Sequence, residues 1–245
     1  MNNPFIRKLE NFTRFSQAER KALEDATGQN VRRLGPREDI VNEGDEPRAV
    51  NLVLEGWACR YKQLQDGRRQ IIAFFLPGDL CDPHIFTLRQ MDHAVASLTP
   101  VTLARVTQPT IEGLTESSTR IAETLWWEML HNAAVQREWT VSLGQRSAVE
   151  RLAHLLCELY MRLRAVGLTE GTAYDLPVTQ ADLADTLGLS SVHVNRTIQE
   201  LRGAGQITWK GRRLTIHDLP ALMALALFDP NYLHLDHEGA HLDAQ

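Results

Sequence analysis

Between residues 176 and 203 the sequence LPVTQADLADTLGLSSVHVNRTIQELRG holds two short helical patterns joined at Gly188, and few local structures satisfy that pairing. The first pattern runs from Gln180 to Leu187. Thr179 stands as its N-cap, Asp182 follows in the capping-box position, and Ala181, Leu183, Ala184 and Leu187 form an apolar stripe at helical spacing. Gly188 permits a sharp turn because it carries no Cβ. Ser190 then caps a second helix over 191–202, in which Val194, Ile198 and Leu201 turn inward while Ser191, Val192, His193, Asn195, Arg196 and Gln199 face elsewhere. This is the pattern of a helix-turn-helix whose second helix is shaped for a DNA major groove.

The next residues extend the motif. Ile207 and Trp209, then Lys210, Gly211 and Arg212, then Leu214 and Ile216 read as two short strands around a tight turn, which makes a winged helix. From Gly188 to His217 there are five basic residues (Arg196, Arg202, Lys210, Arg212, Arg213) and one acid (Glu200), a local charge of +4 in a chain whose formal charge is −5. The cations lie where the phosphates of a duplex would be, and the acidic remainder argues against coating nucleic acid indiscriminately. The residues expected to meet double-stranded DNA are Thr179, Gln180, Ser190, Ser191, Val192, His193, Asn195, Arg196, Gln199, Lys210 and Arg212. A winged helix that docks protein instead of DNA is the alternative.

A length of 245 residues suits two domains, each with its own core, and 43% hydrophobic with 23% charged residues is the balance of a soluble globular protein. No apolar run approaches the ~20 residues of a membrane span, and the opening MNNPFIRKLENF lacks a signal-peptide pattern, so the expectation is a cytoplasmic protein with no membrane partner. Cys59, Cys81 and Cys157 are odd in number and widely spaced, which excludes a disulfide framework and a CxxC metal knuckle. Cys81 and His84 as nucleophile and base come with no oxyanion device or nucleophile elbow, so the chain is not read as an enzyme.

Two short helices open the chain, the second starting at Ser16 with Glu19 in the capping-box position. From Asn30 the apolar period becomes two. Val31–Leu34, Val50–Leu54, Trp57–Leu64, Arg69–Phe75 and Val101–Val106 read as strands, separated by Gly35-Pro36, Glu43-Gly44-Asp45, Glu55-Gly56, Asp66-Gly67 and Pro77-Gly78-Asp79. Many short strands between glycine turns mean a compact antiparallel roll, a container fold able to hold a small ligand. A helical pattern then runs from Ser118 to Leu143, with Ile121, Leu125, Trp126, Trp127, Met129, Leu130, Ala133, Val135, Trp139 and Leu143 on more than one face. One stripe packs on the roll and another is left for a partner helix, which implies a dimer. Gly144 is expected to break the helix and mark a hinge, and Ser147 with Glu150 caps the next helix, through Ala165. The polar end from Asp229, with His234, His237 and His241, reads as a flexible tail rather than a metal site. The class is therefore α+β: a roll over 1–117, a dimerisation helix over 118–143, a winged helix-turn-helix over 145–228 and a tail over 229–245.

A roll, one long helix and a winged helix together resemble the Crp/Fnr family of bacterial transcription regulators. The resemblance rests on Leu54-Glu55-Gly56, Asp66-Gly67-Arg68, Pro77-Gly78-Asp79-Leu80, Arg146 to Ala153 and, most specifically, Gly188 to Ile198. It implies a cyclic-nucleotide-binding-like jelly roll and a homodimer gripping a palindromic operator, with RNA polymerase as a further partner. Arg196 matches the arginine of the family's recognition helix, which typically contacts guanine. Where the family commonly places a base-reading glutamate this chain has Val192, which can touch a thymine methyl but cannot accept a hydrogen bond from cytosine. The half-site is therefore expected to differ from TGTGA and TTGAT.

The resemblance also says what the roll lacks. Cyclic-AMP-binding members follow Gly-Asp with Gly-Glu and later carry Arg-Ser or Arg-Thr for the phosphate. Here the stretch is Cys81-Asp82-Pro83-His84, and the arginine position falls near Asp92-His93, where a carboxylate would repel the phosphate. Cyclic AMP is therefore not the expected effector. The oxygen-sensing branch holds an iron–sulfur cluster on N-terminal cysteines, and no cysteine precedes Cys59, so that cofactor is not expected either. Cys81, Asp82, His84, Asp92 and His93 remain as a candidate effector pocket of unassigned cofactor. Such residues ligate transition metals or haem, and His84 falls near the haem histidine of carbon-monoxide-sensing members. Thiol-redox sensing at Cys81, an organic ligand, or a turn whose Asp and His bond only within the fold are the other readings.

Overall fold

The computed structural model describes residues 3–83 and 85–235. It opens with α1 (Pro4–Leu9) and α2 (Gln17–Gly28), where Ser16 and Glu19 close the reciprocal capping box expected there. Eight strands follow among the described residues: β1 (Val31–Leu34), β2 (Asp39–Val41), β3 (Val50–Glu55), β4 (Ala58–Gln63), β5 (Arg69–Phe75), β6 (Leu80–Cys81), β7 (Ala94–Ser97) and β8 (Val101–Val106). They pair antiparallel in two sheets, β1-β8-β3-β6 and β2-β7-β4-β5. Leu34, Val53, Cys81, Val101 and Leu103 of the first sheet meet Ala58, Phe75 and Val95 of the second, so the sheets enclose one apolar core. The strands β2, β6 and β7 escaped the sequence pattern because two to four residues are too few to establish a period of two.

Gly56 shows why one turn accepts a single residue type. Its φ is +81°, and an added Cβ would lie 2.1 Å from the Pro100 carbonyl oxygen.

A helix not read from the sequence, α3 (Gln108–Ser117), precedes the long α4 (Thr119–Gln145). Extended Ser118 separates them and accepts the amide of Ile121. The break expected at Gly144 is a correction: α4 passes through that glycine to Gln145, and the chain turns at Arg146, which is extended. One solvent-facing glycine costs about 1 kcal/mol relative to alanine and does not end a helix whose other residues favour it. The Ser147–Glu150 box then opens α5 (Ala148–Ala165) as expected.

Beyond it lie β9 (Thr169–Glu170), β10 (Ala173–Asp175), α6 (Gln180–Leu187), α7 (Ser191–Gly203), β11 (Ile207–Lys210), β12 (Arg213–Ile216) and α8 (Leu219–Leu225). The two wing strands belong to a four-stranded sheet, β11-β12-β10-β9. The tail expected from Asp229 is also corrected. Pro230–Leu233 forms a 3-10 turn, Leu233 is fully buried, its carbonyl accepts from His131 Nδ1 at 2.8 Å, and the Tyr232 hydroxyl donates to Glu158 at 2.9 Å. His237 and His241 lie outside the described residues.

Roll and winged helix are joined through their interiors. Trp57, Phe74 and Leu98 of the roll share a buried cluster with Trp139 of α4 and Leu152, Leu156 and Leu159 of α5. A chain of buried charges runs alongside. Lys8 lies 2.7 Å from Asp79 and 2.5 Å from Glu128, and Arg162 lies 2.7 Å from Asp79 and 3.1 Å from Glu158. Five ionisable side chains from α1, the Pro-Gly-Asp turn, α4 and α5 thus pair with one another out of water, as buried charges require, although Glu128 Oε2 and Arg162 Nε keep no hydrogen-bond partner among the described residues.

Candidate nucleic-acid interface and effector pocket

The helix-turn-helix is built as its sequence implies. The Thr179 hydroxyl accepts the Asp182 amide at 3.1 Å, the Asp182 carboxylate accepts the Thr179 amide at 2.9 Å, and Gly188 closes α6 in the left-handed conformation at φ 62°. Leu183, Ala184 and Leu187 are buried, whereas Ala181, counted in the same stripe, faces solvent. Ser190 accepts the His193 amide at 3.2 Å and starts α7. There Val194, Thr197, Ile198 and Leu201 are buried, and Ser191, Val192, His193, Asn195, Arg196 and Gln199 are all exposed.

Val192, at 72% exposure, is a large apolar side chain held toward solvent by a rigid helix. Among the described residues Arg196 has no ion-pair partner, while Asn195 donates to Gln180 at 3.2 Å and so ties α7 to the first turn of α6. Thr179, Gln180, Ser190, Lys210 and Arg212 are exposed too. Arg202, absent from the expected set, lines a cavity of about 230 Å³ with Gln180, Gln199, Trp209 and Gly211, between α7 and the wing.

The roll grips this domain through charge. The Arg37 guanidinium makes two bonds to the Asp182 carboxylate, at 2.6 and 2.7 Å; Arg69 reaches Asp182 at 3.1 Å and Asp185 at 2.8 Å; and Gln70 donates to the Thr186 carbonyl at 3.0 Å. Burial would raise the Asp182 pKa, but the hydrogen bonds from Arg37 and Thr179 outweigh it and hold the carboxyl at about 2. The residue that caps the first helix of the motif is therefore also the anchor of that helix on the roll.

Of the candidate effector residues, the fold gathers Asp82, Asp92 and His93. His93 Nε2 lies 2.9 Å from Asp82, its Nδ1 lies 2.6 Å from Asp92, and Arg60 pairs with Asp82 on the other side. Burial lowers the His93 pKa, yet the hydrogen bond and charge of Asp82 raise it more, so the ring is protonated more readily than an ordinary histidine. Asp82 itself stands in the left-handed region at φ 60°, which aspartate tolerates better than most residues.

Cys81 points away from this group into the core between the sheets, where burial pushes its thiol well up and keeps it a thiol at neutral pH. His84 lies outside the described residues. The two carboxylates occupy opposite nitrogens of His93, and among the described residues no His, Cys, Asp and Glu set is placed to hold a metal.

A cavity of about 310 Å³ adjoins this network. Arg60, Asp82, Pro83, Ile85 and Leu88 line it from the roll, and Met129, Asn132, Ala133 and Gln136 from α4. Arg60 Nε and Asn132 Nδ2 are buried in its neighbourhood with no hydrogen-bond partner. Arg60, Asn132 and Gln136 were not among the expected residues; their separation in sequence leaves no local signal, and only the packing of α4 on the roll unites them.

Comparison with known proteins agrees with both halves of this geometry. Residues 31–118 match a cyclic nucleotide-binding domain and residues 150–225 a Crp-like helix-turn-helix domain. The nitrogen fixation regulation protein FixK of Azorhizobium caulinodans is 32% identical over 187 residues, 74% of each chain. FixK of Bradyrhizobium diazoefficiens is 30% identical over 189 residues, 77% of this chain and 78% of that one. The transcriptional activator protein FnrL of Cereibacter sphaeroides is 29% identical over 72% of each chain. Among solved structures, FixK2 from Bradyrhizobium japonicum superimposes with a TM-score of 0.72 at 26% identity, covering 80% of this chain and 96% of the other.

Proposed function

This chain belongs to the Crp/Fnr family of transcription regulators, a DNA-binding regulator and not an enzyme, and we propose that it binds a palindromic operator as a homodimer under control of a signal at the roll. The carrying observation is the row of exposed side chains on α7, Ser191 to Gln199, set on a capped and buried helix beside the cations of the wing. Arg196 reads guanine, Val192 meets a thymine methyl, Asn195 pairs with adenine, and Lys210 and Arg212 hold phosphates. In this reading residues 1–117 sense, α4 pairs the protomers through its outer face, and 145–228 read DNA. RNA polymerase is the further partner, and the protein acts in the cytoplasm, where its operator is; among the described residues no helix is long and apolar enough to cross a membrane.

The test is selection of duplexes from random DNA, followed by fluorescence anisotropy on the selected palindrome. Binding should weaken steeply with salt, and Arg196→Ala should cost about 1–3 kcal/mol while relaxing choice at one base position. Equal affinity for all duplexes, or no loss in the Arg196 variant, would favour protein docking by the winged helix. Recovery of TGTGA or TTGAT half-sites would remove the role given to Val192.

The signal in this reading enters the cleft between Arg60, Asp82 and Asn132, where a ligand bearing hydrogen-bond acceptors would meet the two unpartnered donors. Cyclic AMP does not suit it: Asp82 and Asp92 flank His93 where a cyclic phosphate would need cations, and Asp82 already engages Arg60. Millimolar cyclic AMP should leave both the melting temperature and operator affinity unchanged.

A further inference from the structure

The inner face of the first sheet changes character along its length. Leu34 of β1, Val53 of β3 and Leu103 of β8 point into the apolar core. Side chains two residues along each strand share a face, and at one end of the sheet those positions are Arg32, Asn51 and Arg105. The register places Asn51 opposite Arg105, and Arg32 opposite Leu103, whose face Arg105 shares. A filled jelly roll needs apolar residues there.

The space they face is a cavity of about 380 Å³. Ile40, Val41, Ile85 and Met91 supply apolar wall, and the 45–49 turn adds Arg48 with Asp45 and Glu46. Both acids are already engaged. Asp45 Oδ2 accepts the Asn42 amide at 2.8 Å and Asn42 Nδ2 at 3.3 Å, and Glu46 lies 3.4 Å from Arg48. Arg32 and Arg105, by contrast, have no ion pair or side-chain hydrogen bond among the described residues. Arg32, exposed, and Arg105, half-buried, line one cavity from the same end of the sheet with no carboxylate assigned to either, and their guanidinium groups offer donors in the geometry that oxyanions accept.

We infer that this end of the roll binds a small organic oxyanion, a di- or tricarboxylate or a phosphate monoester, with its charge on Arg32 and Arg105 and its carbon skeleton against Ile85 and Met91. The cavity is distinct from the cleft on α4, although Ile85 lines both. Ligand in one therefore sits one side chain from the other.

Isothermal titration of the full chain with inorganic phosphate, citrate and glucose 6-phosphate, in low-chloride buffer, tests this. Saturable binding of at least one probe is expected, weakened about tenfold or more by Arg105→Gln and by Arg32→Gln. Arg33→Gln, on the outer face of the same strand, should leave it unchanged, and the probe that binds tighter distinguishes carboxylate from phosphate. Thermal melts confirm that each variant is folded, and two inner-face variants guard against one that is not. No saturable binding of any probe, or equal weakening by Arg33→Gln, overturns the site.

Discussion

His93 illustrates how two carboxylates decide the state of one ring. Alone in an apolar turn a histidine is held neutral by burial; between Asp82 and Asp92 its proton is favoured, and the pKa lies above the ordinary 6.5. A raised pKa adds stability that is complete below the unfolded value and is lost as pH climbs through the folded one. Replacing His93 with Gln should therefore destabilise the roll most below about pH 6, with the gap from the parent narrowing above pH 7, as read by urea titration across that range. A gap independent of pH would mean that the ring only packs. Cys81, its neighbour in the candidate set, behaves oppositely: its protonated thiol is core filling, and a thiol reagent should modify it no faster than unfolding allows.

At the scale of the element, α4 does two jobs with one sequence. Ile121, Leu125, Val135 and Trp139 are buried within the protomer, while Leu130 is 58% and Val141 48% exposed on the same helix. Exposed large apolar residues along a long rigid helix mark an interface. Leu130→Asp is expected to shift the chain from dimer to monomer in sedimentation at micromolar concentration, and to weaken operator binding with it, because each half-site then binds alone. The same helix lines the cleft proposed for the signal through Met129, Asn132 and Gln136, so a ligand there would touch the element that in this proposal carries its signal to the partner. The helix-turn-helix is the opposite kind of element. Its caps, turn glycine and buried face are all local, which is why its bounds could be read from residues 176–203 alone.

For the whole molecule the decisive contact is the one between roll and winged helix. Arg37 and Arg69 hold Asp182, whose pKa of about 2 lies below the usual 3.8. A depressed carboxylate pKa adds stability that is present above the unfolded value and is lost as pH falls through the folded one. Asp182→Asn should therefore lower the melting temperature at pH 5 and above, with the difference from the parent fading between about pH 4 and pH 2. A double-mutant cycle with Arg37→Gln should give a coupling of about 1 kcal/mol, modest because the arginine is partly solvated. Zero coupling would mean that the two domains are held by their shared apolar cluster alone. The variant also tests whether the grip sets the pose of α7, since operator affinity should change more than the loss of one helix cap explains.

What the sequence by itself determined is what depends on near neighbours along the chain: the three capping boxes, the left-handed turn at Gly188, the alternation of β3, β4, β5 and β8, and the charge contrast that marks the wing. These signals lie within a few residues and survive in any tertiary setting. The tertiary structure alone decided the rest. It carried α4 past Gly144, folded Pro230–Leu233 onto Glu158 and His131, turned Cys81 into the core, joined Asp182 to Arg37 145 residues away, and set Arg32 and Arg105 along one cavity. Such pairings are set by which surfaces meet when three sheets and eight helices bury their apolar faces together, and no local pattern in the chain encodes that choice.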